Sequence, residues 1–220
     1  MSQTPRVDEA LRQVVGPAVL DLGCSGQAGR RSNFTSENWL HGRLMRAFPD
    51  AWGLESSSEN IAALSAAGIG NIHQGDAQDF NLGRRFNTVV AGELIEHLPN
   101  IGDFLDAVRQ HLEPGGRLVI TTPYPFNVFF MMYAWYRYPR TCSNPEHTMW
   151  FCPSTIRTVA SLHGYQLVSN RLVADYRRDL PSRAGRVIGY FGRAMRWFAP
   201  LRLCGTSMVV VLQPLAVSAT

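Results

Sequence analysis

Two short apolar segments each carry a carboxylate near their end, and the first leads into a turn of small residues. The segment 19–22 (Val-Leu-Asp-Leu) predicts a buried strand before Gly23-Cys24-Ser25-Gly26, and 52–55 (Trp-Gly-Leu-Glu) predicts a second strand. In an open α/β sheet, the carboxyl ends of such strands border the crevice where nucleotides bind. A tight turn lets backbone N–H groups approach a ligand, and a strand-end carboxylate accepts both ribose hydroxyls. Asp21 and Glu55 therefore predict a cofactor that contains adenosine.

Helical and extended patterns alternate along the chain, which predicts a mainly parallel sheet with helices on both faces. The segment 123–144 is rich in aromatic residues and predicts irregular structure, whereas 183–203 is rich in arginine and has a helical period. We expect strands at 18–22, 52–55, 71–74, 86–91, 117–122, 166–174 and 207–212. We expect helices at 6–15, 37–48, 58–67, 104–112 and 153–163.

The composition limits the class of protein. The 220 residues are 45% hydrophobic with a net charge of +4, which suits a single domain over residues 1–220 with a full core. All 21 basic residues are arginine. The sequence therefore excludes a P-loop lysine, a Schiff-base lysine and the Tyr-x-x-x-Lys pair of some dehydrogenases.

Cysteine usage and hydropathy predict the compartment. The four cysteines, Cys24, Cys142, Cys152 and Cys204, have no Cys-x-x-Cys spacing and predict reduced thiols. The N-terminus is charged where a signal peptide is apolar. The longest apolar run, 128–136, is much shorter than the about 20 residues that a membrane span needs. We therefore expect a cytoplasmic protein.

Five segments in sequence order resemble the motifs of class I S-adenosylmethionine (SAM) methyltransferases. They are Val19–Gly26, Trp52–Asn60, Gln74–Ala77, Glu93–Leu98 and Leu112–Leu118. Each alone is a weak signal, but five in order at suitable spacing are specific. The resemblance implies a Rossmann-like α/β fold with a seven-stranded mixed sheet, strand seven antiparallel, helices on both faces and a helical, aromatic lid. It also implies SAM as the cofactor.

The resemblance assigns residues to each part of the cofactor. The turn after the first strand faces the methionine part, and Asp21 holds that turn or receives the ammonium group. Glu55 accepts the ribose hydroxyls, Asp76 takes the adenine amino group, and Glu93 ends strand four beside the methyl group. The cofactor-binding set is Asp21, Gly23, Cys24, Ser25, Gly26, His41, Glu55, Ser56, Asp76, Ala77, Gly92 and Glu93.

The chain departs from the family pattern in two ways. Ser25 replaces the middle glycine of Gly-x-Gly-x-Gly, and serine does not freely adopt a positive φ. The interval from Asp21 to Glu55 also exceeds the about 20 residues of a dinucleotide fold, because a polar loop is inserted. Trp39-Leu40-His41, with Asn-Pro-Glu-His-Thr at 144–148, resembles a bacterial subgroup associated with surface-glycan or secondary-metabolite pathways.

Methyl transfer from a sulfonium is an in-line displacement, so positioning of the acceptor supplies much of the acceleration. A hydroxyl acceptor also benefits from a general base, usually histidine. His147 follows strand five, where the family places its acceptor loop, and is the first candidate; His97 follows strand four and is the second. We expect no metal site, since the spacing of Asp76, Asp79 and Asp103 does not predict one.

Two segments, 123–152 and 177–205, are expected to be insertions on the acceptor side. Both combine aromatic and apolar residues, and the second adds arginines at helical spacing. The first interpretation is a hydrophobic lid. The second is a basic amphipathic surface that makes weak peripheral contact with a membrane or a lipid-linked acceptor. We expect no nucleic-acid partner, because the arginines form no RNA-module motif and the net charge is modest.

The predicted function is SAM-dependent O-methylation of a hydroxyl on a small molecule or glycan. Three alternatives stay open at this point. The first is N-methylation of a small amine, where a base matters less. The second is a catalytically silent SAM-binding subunit, which the altered turn at Ser25 favours. The third is a nicotinamide oxidoreductase, against which the absence of lysine and the altered glycine pattern count.

Overall fold

The computed structural model of the chain describes residues 5–26, 34–137, 144–175, 190, 194 and 197–215. Its helices are α1 (Pro5–Arg12), α2 (Leu40–Ala47), α3 (Ser58–Ala66), α4 (Ile101–Gln110), α5 (Val128–Arg137), α6 (Pro153–Leu162) and α7 (Leu201–Cys204). A 3₁₀ turn covers Ile95–His97. Its strands are β1 (Val19–Leu22), β2 (Trp52–Glu55), β3 (Ile72–Gln74), β4 (Phe86–Gly92), β5 (Leu112–Pro123), β6 (Tyr165–Val173) and β7 (Ser207–Pro214).

The seven strands form one sheet in the order β3-β2-β1-β4-β5-β7-β6. Strands β1 to β5 pair in parallel, whereas β7 runs antiparallel to both of its neighbours, β5 and β6. The apolar runs of β1, β4 and β7 are almost completely buried, as is typical of strands covered on both faces. The predicted Rossmann-like mixed sheet with an antiparallel seventh strand is confirmed.

The order of the strands reverses at β1, which lies between β2 and β4. Asp21 of β1 is opposite Gly53 on one side and Val90 on the other. Because these strands are parallel, their carboxyl ends meet at one edge of the sheet, and Glu55 and Gly92 end the two neighbouring strands there. Such a switch point is where open α/β sheets bind ligands.

Helices cover both faces of the sheet, as the alternation of side chains along each strand requires. On one face, α4 and α6 bury Phe104 and Ile156 against a cluster that includes Leu20. On the other face, Val7 of α1 and Leu44 of α2 join a second cluster. Full burial of such a side chain contributes about 1.5–3 kcal/mol, so apolar packing fixes the helices that border the crevice.

The prediction of irregular structure over 123–144 is wrong for its central part, which is helix α5. The side chain of Asn127 accepts a hydrogen bond from the backbone N–H of Phe130 (2.9 Å), as a residue at a helix start does. The segment 128–137 contains neither glycine nor proline. Aromatic residues have only moderate helix propensity, but nothing in their type forbids the helix.

Two predicted boundaries near α4 are also wrong. The helix begins at Ile101 and not at Phe104, because the side chain of Asn100 caps it by accepting from the N–H groups of Gly102 and Asp103. Strand β5 begins at Leu112, before the predicted turn at Pro114-Gly115-Gly116. A register shift against β4 accommodates that turn within the strand.

Part of the predicted organisation lies outside the described residues. The insertion 177–205 is described only at 190, 194 and 197–205, so most of the helical pattern over 183–203 falls outside. Residues 27–33 of the polar loop and Cys142 also fall outside. Among the helices in the described ranges, none has both the length and the apolar character needed to cross a membrane.

Candidate active site

The turn after β1 accommodates the serine that departs from the glycine pattern. Gly23 and Gly26 adopt the left-handed conformation, with φ of 67° and 47°, whereas Ser25 does not. Gly23 and Gly26 are therefore the positions in this turn that favour glycine, and the position of Ser25 does not require it. The N–H groups of Gly23 and Cys24 donate to the carbonyl of Leu54 (2.9 and 3.2 Å), which fastens the turn to β2. Burial raises the pKa of the Cys24 thiol, so Cys24 presents no thiolate to the crevice.

The hydroxyl of Ser25 donates a hydrogen bond to the carboxylate of Glu55 at the end of β2. The backbone N–H of Ser25 donates to the same oxygen, Oε2 (3.3 Å), and the N–H of Ser57 donates to Oε1 (3.0 Å). The amide of Asn60 donates in turn to the Ser25 hydroxyl (3.0 Å). Glu55 is buried, so these donors fix the orientation of its carboxylate.

Helix α2 places His41 against Asp21. Nδ1 of His41 lies 3.2 Å from Oδ2 of Asp21, and both side chains are buried. Burial raises the pKa of the Asp21 carboxyl, and the contact with His41 opposes that shift. Within the described ranges, Nε2 of His41 is buried without a hydrogen-bond partner. The two predicted cofactor residues therefore form a pair beneath the turn.

The residue before α2, Trp39, also holds the turn, since its indole N–H donates to the carbonyl of Cys24 (2.8 Å). Leu40 packs so close to the end of β4 that a Cβ added to Gly92 would lie 2.5 Å from its Cδ2 atom. The Trp-Leu-His segment singled out in the sequence thus contacts both the turn and the strand end.

The residues after β3 lie beside the end of β2. The N–H of Gly75 donates to the carbonyl of Glu55 (3.1 Å), which joins the ends of β2 and β3. Asp76 is exposed and accepts the N–H of Gln78 (2.9 Å), so its carboxylate shapes its own turn. Ala77 is buried in the core, whereas Ser56 is exposed. The predicted contact of Asp76 with adenine therefore stays a prediction.

Glu93 follows β4 in a left-handed conformation, with φ of 53°, which is uncommon for a residue other than glycine. Its backbone N–H donates to the carbonyl of Thr121 (2.8 Å). The buried guanidinium of Arg6 lies 3.7 Å from Glu93 Oε1, donates to the Thr121 hydroxyl (3.1 Å) and pairs with Asp175 (3.3 Å). Sequence reasoning missed Arg6, because no local pattern relates α1 to strand ends far along the chain.

The two candidate bases come together after β4. The rings of His97 and His147 have centroids 4.7 Å apart in an edge-to-face arrangement. Burial and the neighbouring His97 lower the pKa of His147 below its usual value. Glu96 lies beside them, and burial together with the charge of Glu93 raises the pKa of its carboxyl to about 8. The sequence places Glu96 next to His97 as a residue that could orient a histidine, but its proximity to His147 is a tertiary contact.

The strand order, the turn after β1 and the acidic ends of neighbouring strands define a Rossmann-like domain with a crevice for a nucleoside-containing cofactor. The chain belongs to the methyltransferase-domain family, whose sequence model matches residues 5–170. This membership confirms the predicted class, a SAM-dependent methyltransferase. It also favours that class over the nicotinamide oxidoreductase.

Similar proteins agree with this family. The ubiquinone biosynthesis O-methyltransferase of Azorhizobium caulinodans is 29% identical over 119 residues, which is 51% of this chain and 43% of that protein. The dTDP-3-amino-3,4,6-trideoxy-alpha-D-glucopyranose N,N-dimethyltransferase of Streptomyces venezuelae is 32% identical over 108 residues, 47% of this chain and 41% of that protein. The matched part of the chain therefore spans less than half of each relative.

A solved structure extends the similarity to nearly the whole chain. A SAM-dependent methyltransferase from Archaeoglobus fulgidus superposes with a TM-score of 0.63 at 15% sequence identity. The match covers 94% of this chain and 90% of that one. At this level of identity the similarity establishes the fold.

Proposed function

We propose that the chain transfers the methyl group of SAM to a hydroxyl of a small molecule or glycan. The observation that carries the proposal is the pair of imidazoles, His97 and His147, beside the end of β4. An aliphatic or phenolic hydroxyl must lose its proton as its oxygen attacks, and a neighbouring imidazole can take that proton. The resemblance to a ubiquinone O-methyltransferase supports the same atom type.

The residues at the crevice fit the cofactor. The left-handed Gly23 and Gly26 let the turn approach a ligand closely, and the buried, unpartnered Nε2 of His41 offers a further polar group. Asp21 would hold the ammonium group, and Glu55 would accept the ribose hydroxyls. The other contacts are assigned to Cys24, Ser25, Ser56, Asp76, Ala77, Gly92 and Glu93. When bound, SAM supplies an electrophilic methyl group on a positively charged sulfur.

His147 is the side chain that we assign as the proton acceptor. Because its pKa is lowered, the imidazole is neutral at pH 7 and able to take a proton. His97 stays the second candidate, and its Nδ1 lies 3.3 Å from the carbonyl of Glu146, which orients the ring. The acceptor hydroxyl would thus approach between β4 and the loop 144–148.

N-methylation of a small amine is the second candidate function, and the relative that dimethylates an amino sugar favours it. An amine that is already deprotonated attacks without a base, so the imidazole pair would be dispensable. The subgroup with Trp-Leu-His and Asn-Pro-Glu-His motifs supports an acceptor related to surface glycans or secondary metabolites. Under either function, we propose one domain over 1–220, with 123–152 and 177–205 on the acceptor side.

The decisive experiment combines binding and product analysis. Isothermal titration of the purified full chain with SAM, S-adenosylhomocysteine and NADPH tests the cofactor, and mass spectrometry after incubation with phenols, glycosides and amino sugars tests the reaction. We expect SAM binding and a methyl-sized mass gain on a hydroxyl compound. A mass gain on amines alone would support N-methylation. SAM binding without any product would support a silent subunit, and NADPH binding would contradict the proposal.

The exposed aromatic side chains on the acceptor side support a peripheral contact with a membrane. Trp135, Trp197 and Phe198 are 86%, 76% and 90% exposed, so these described residues do not pack as an apolar lid on the core. Aromatic residues of this kind favour the boundary between water and lipid. Flotation with anionic vesicles at low salt tests the contact, and a protein that remains in the bottom fraction would discard it.

A further inference from the structure

Three ligand-type side chains meet where the acceptor is proposed to bind. Glu96, His97 and His147 each place one donor atom within 4.8 Å of the donor atoms of the other two. Around a zinc ion with bonds of about 2.1 Å, tetrahedral donor atoms are about 3.4 Å apart. Small side-chain rotations therefore suffice to bring the three donors onto one ion.

Hydrogen bonds on the far side of two of these residues orient them as ligands. The hydroxyl of Thr122 donates to Oε2 of Glu96 (3.0 Å), which leaves Oε1 to bind an ion. Nδ1 of His97 lies 3.3 Å from the carbonyl of Glu146, an acceptor that selects the Nδ1–H tautomer and leaves the lone pair on Nε2. Metal-binding carboxylates and histidines are characteristically held in this way.

The third residue has a ring nitrogen that lacks a partner. Within the described ranges, Nδ1 of His147 is buried without a hydrogen bond. A buried, unsatisfied polar atom costs about 1–3 kcal/mol, and an ion at the cluster would satisfy it. The loop that carries His147 is fixed, since the N–H of Thr148 donates to the carbonyl of Glu96 (2.8 Å) and its hydroxyl to that of Leu98 (2.9 Å).

We propose that Glu96, His97 and His147 bind one divalent transition-metal ion, with zinc the best match. Two imidazoles and one carboxylate are typical of first-row transition metals, whereas Mg²⁺ prefers oxygen ligands and an octahedral shell. Three protein ligands leave at least one position open. The site does not include Asp76, Asp79 or Asp103, whose spacing predicted no metal site.

The open position would take an acceptor oxygen, a part of the proposal that rests on the proposed function. A cation there makes a coordinated hydroxyl more acidic. With the ion bound, His147 is a ligand and not the proton acceptor, so the same side chain serves the reaction in another way. Metal dependence of the reaction distinguishes the two roles.

The test uses the untagged full chain after removal of metal with a chelator. Isothermal titration with Zn²⁺, Co²⁺ and Mg²⁺ alone should show one equivalent of Zn²⁺ or Co²⁺ and no comparable Mg²⁺ binding. Bound Co²⁺ should show the d–d absorption of a site with histidine ligands. Absence of stoichiometric Zn²⁺ and Co²⁺ binding would overturn the proposal.

Substitution of each proposed ligand tests where the ion binds. Glu96→Gln, His97→Asn and His147→Gln should each weaken Zn²⁺ binding by about 100-fold or more, because loss of even a residue that orients a ligand costs about 10- to 100-fold. His163→Gln, at a histidine paired with Asp106 (3.1 Å), is the matched control and should bind normally. Unchanged affinity in His97→Asn and His147→Gln, the two less buried positions, would overturn the site even where Glu96→Gln fails to fold.

The metal titration contains neither SAM nor an acceptor, so it stands apart from the proposed function. Zinc binding without methyl transfer to any acceptor would reject the proposed function and leave the site intact. Methyl transfer at an undiminished rate by the chelated protein would overturn the role of the ion at the open position. A rate of methyl transfer that falls on chelation and returns with Zn²⁺ or Co²⁺ supports both the proposed function and the role of the ion.

Discussion

The carboxylate of Asp21 lies 3.2 Å from Nδ1 of His41, and both side chains are buried beneath the turn that follows β1. Burial alone disfavours a negative charge at this place, and the imidazole opposes that effect. His41 comes from a helix that begins well after the turn, so a side chain of α2 favours the charged form of a residue in β1. The predicted contact of Asp21 with the ammonium group of SAM depends on that charge.

The Asp21–His41 pair predicts a pH-dependent affinity for SAM. Because the pKa of Asp21 is raised, its charged form is present only above that pKa, and affinity should increase as the pH rises through it. His41→Leu removes the opposing partner and should move this increase to higher pH, with about tenfold weaker binding at pH 7. Isothermal titration with SAM over a range of pH measures this affinity. His41→Asn retains a donor and is the control; identical profiles for all three proteins would refute the pairing.

Glu55 is expected to provide most of the ribose recognition. Glu55→Ala should weaken SAM binding by about 10- to 100-fold, the effect of losing hydrogen bonds to a charged acceptor. Glu59→Ala, on the exposed side of α3, should leave the dissociation constant unchanged. If Glu55→Ala and Glu59→Ala bind SAM equally well, the ribose lies elsewhere.

His147 should affect turnover more than cofactor affinity. His147→Ala should lower kcat by about 100- to 10,000-fold, the usual contribution of a general base, and change the Kd for SAM little. In the native chain without a bound metal ion, the rate should rise with pH through the lowered pKa of His147 and then level off, because the neutral imidazole takes the proton. His163→Ala is the control for both measurements. A native rate in His147→Ala on a hydroxyl acceptor across this pH range would exclude the residue.

Arg6 should be more important for stability than any other residue of α1. Arg6→Met leaves the carboxylates of Glu93 and Asp175 without their buried cation and should lower the free energy of unfolding by about 3–5 kcal/mol. Arg12→Ala removes an arginine whose side chain is 70% exposed, and it should change the free energy of unfolding by less than about 0.5 kcal/mol. Urea unfolding compares the two. Equal stability of both variants would show that the pair of carboxylates does not need Arg6.

The fold was largely predictable because its strands are local, apolar and buried on both faces. The runs in β1, β4 and β7 carry that signal within a few residues. The boundaries of α4 and β5 were not predictable from the sequence. The start of α4 depends on a single capping side chain, Asn100, and the start of β5 depends on a register shift near Thr88 in the pairing across the sheet. Such tertiary choices leave no periodic pattern in the sequence.

The candidate site likewise has a part that the sequence predicts and a part that it does not. Asp21, Glu55 and the turn between them are local features of β1 and β2, and the structure places them at one crevice. Two other contacts join residues from distant parts of the chain. Arg6 lies beside Glu93, and Glu96 lies beside His147. Their proximity follows from the order of the strands and from the hydrogen bonds of Thr148, which no spacing rule encodes.

The hydrogen bond from Ser25 to Glu55 changes what cofactor binding involves. A serine hydroxyl is chemically equivalent to a ribose hydroxyl, so the chain carries its own substitute for the ligand group at that carboxylate. If the ribose binds at Glu55 as proposed, its hydroxyl replaces that of Ser25, and the buried carboxylate has a hydroxyl donor before and after binding. The departure from the glycine pattern would thus make the proposed ribose capture an exchange of hydrogen bonds at Glu55, with Ser25 holding the carboxylate in place before the cofactor arrives.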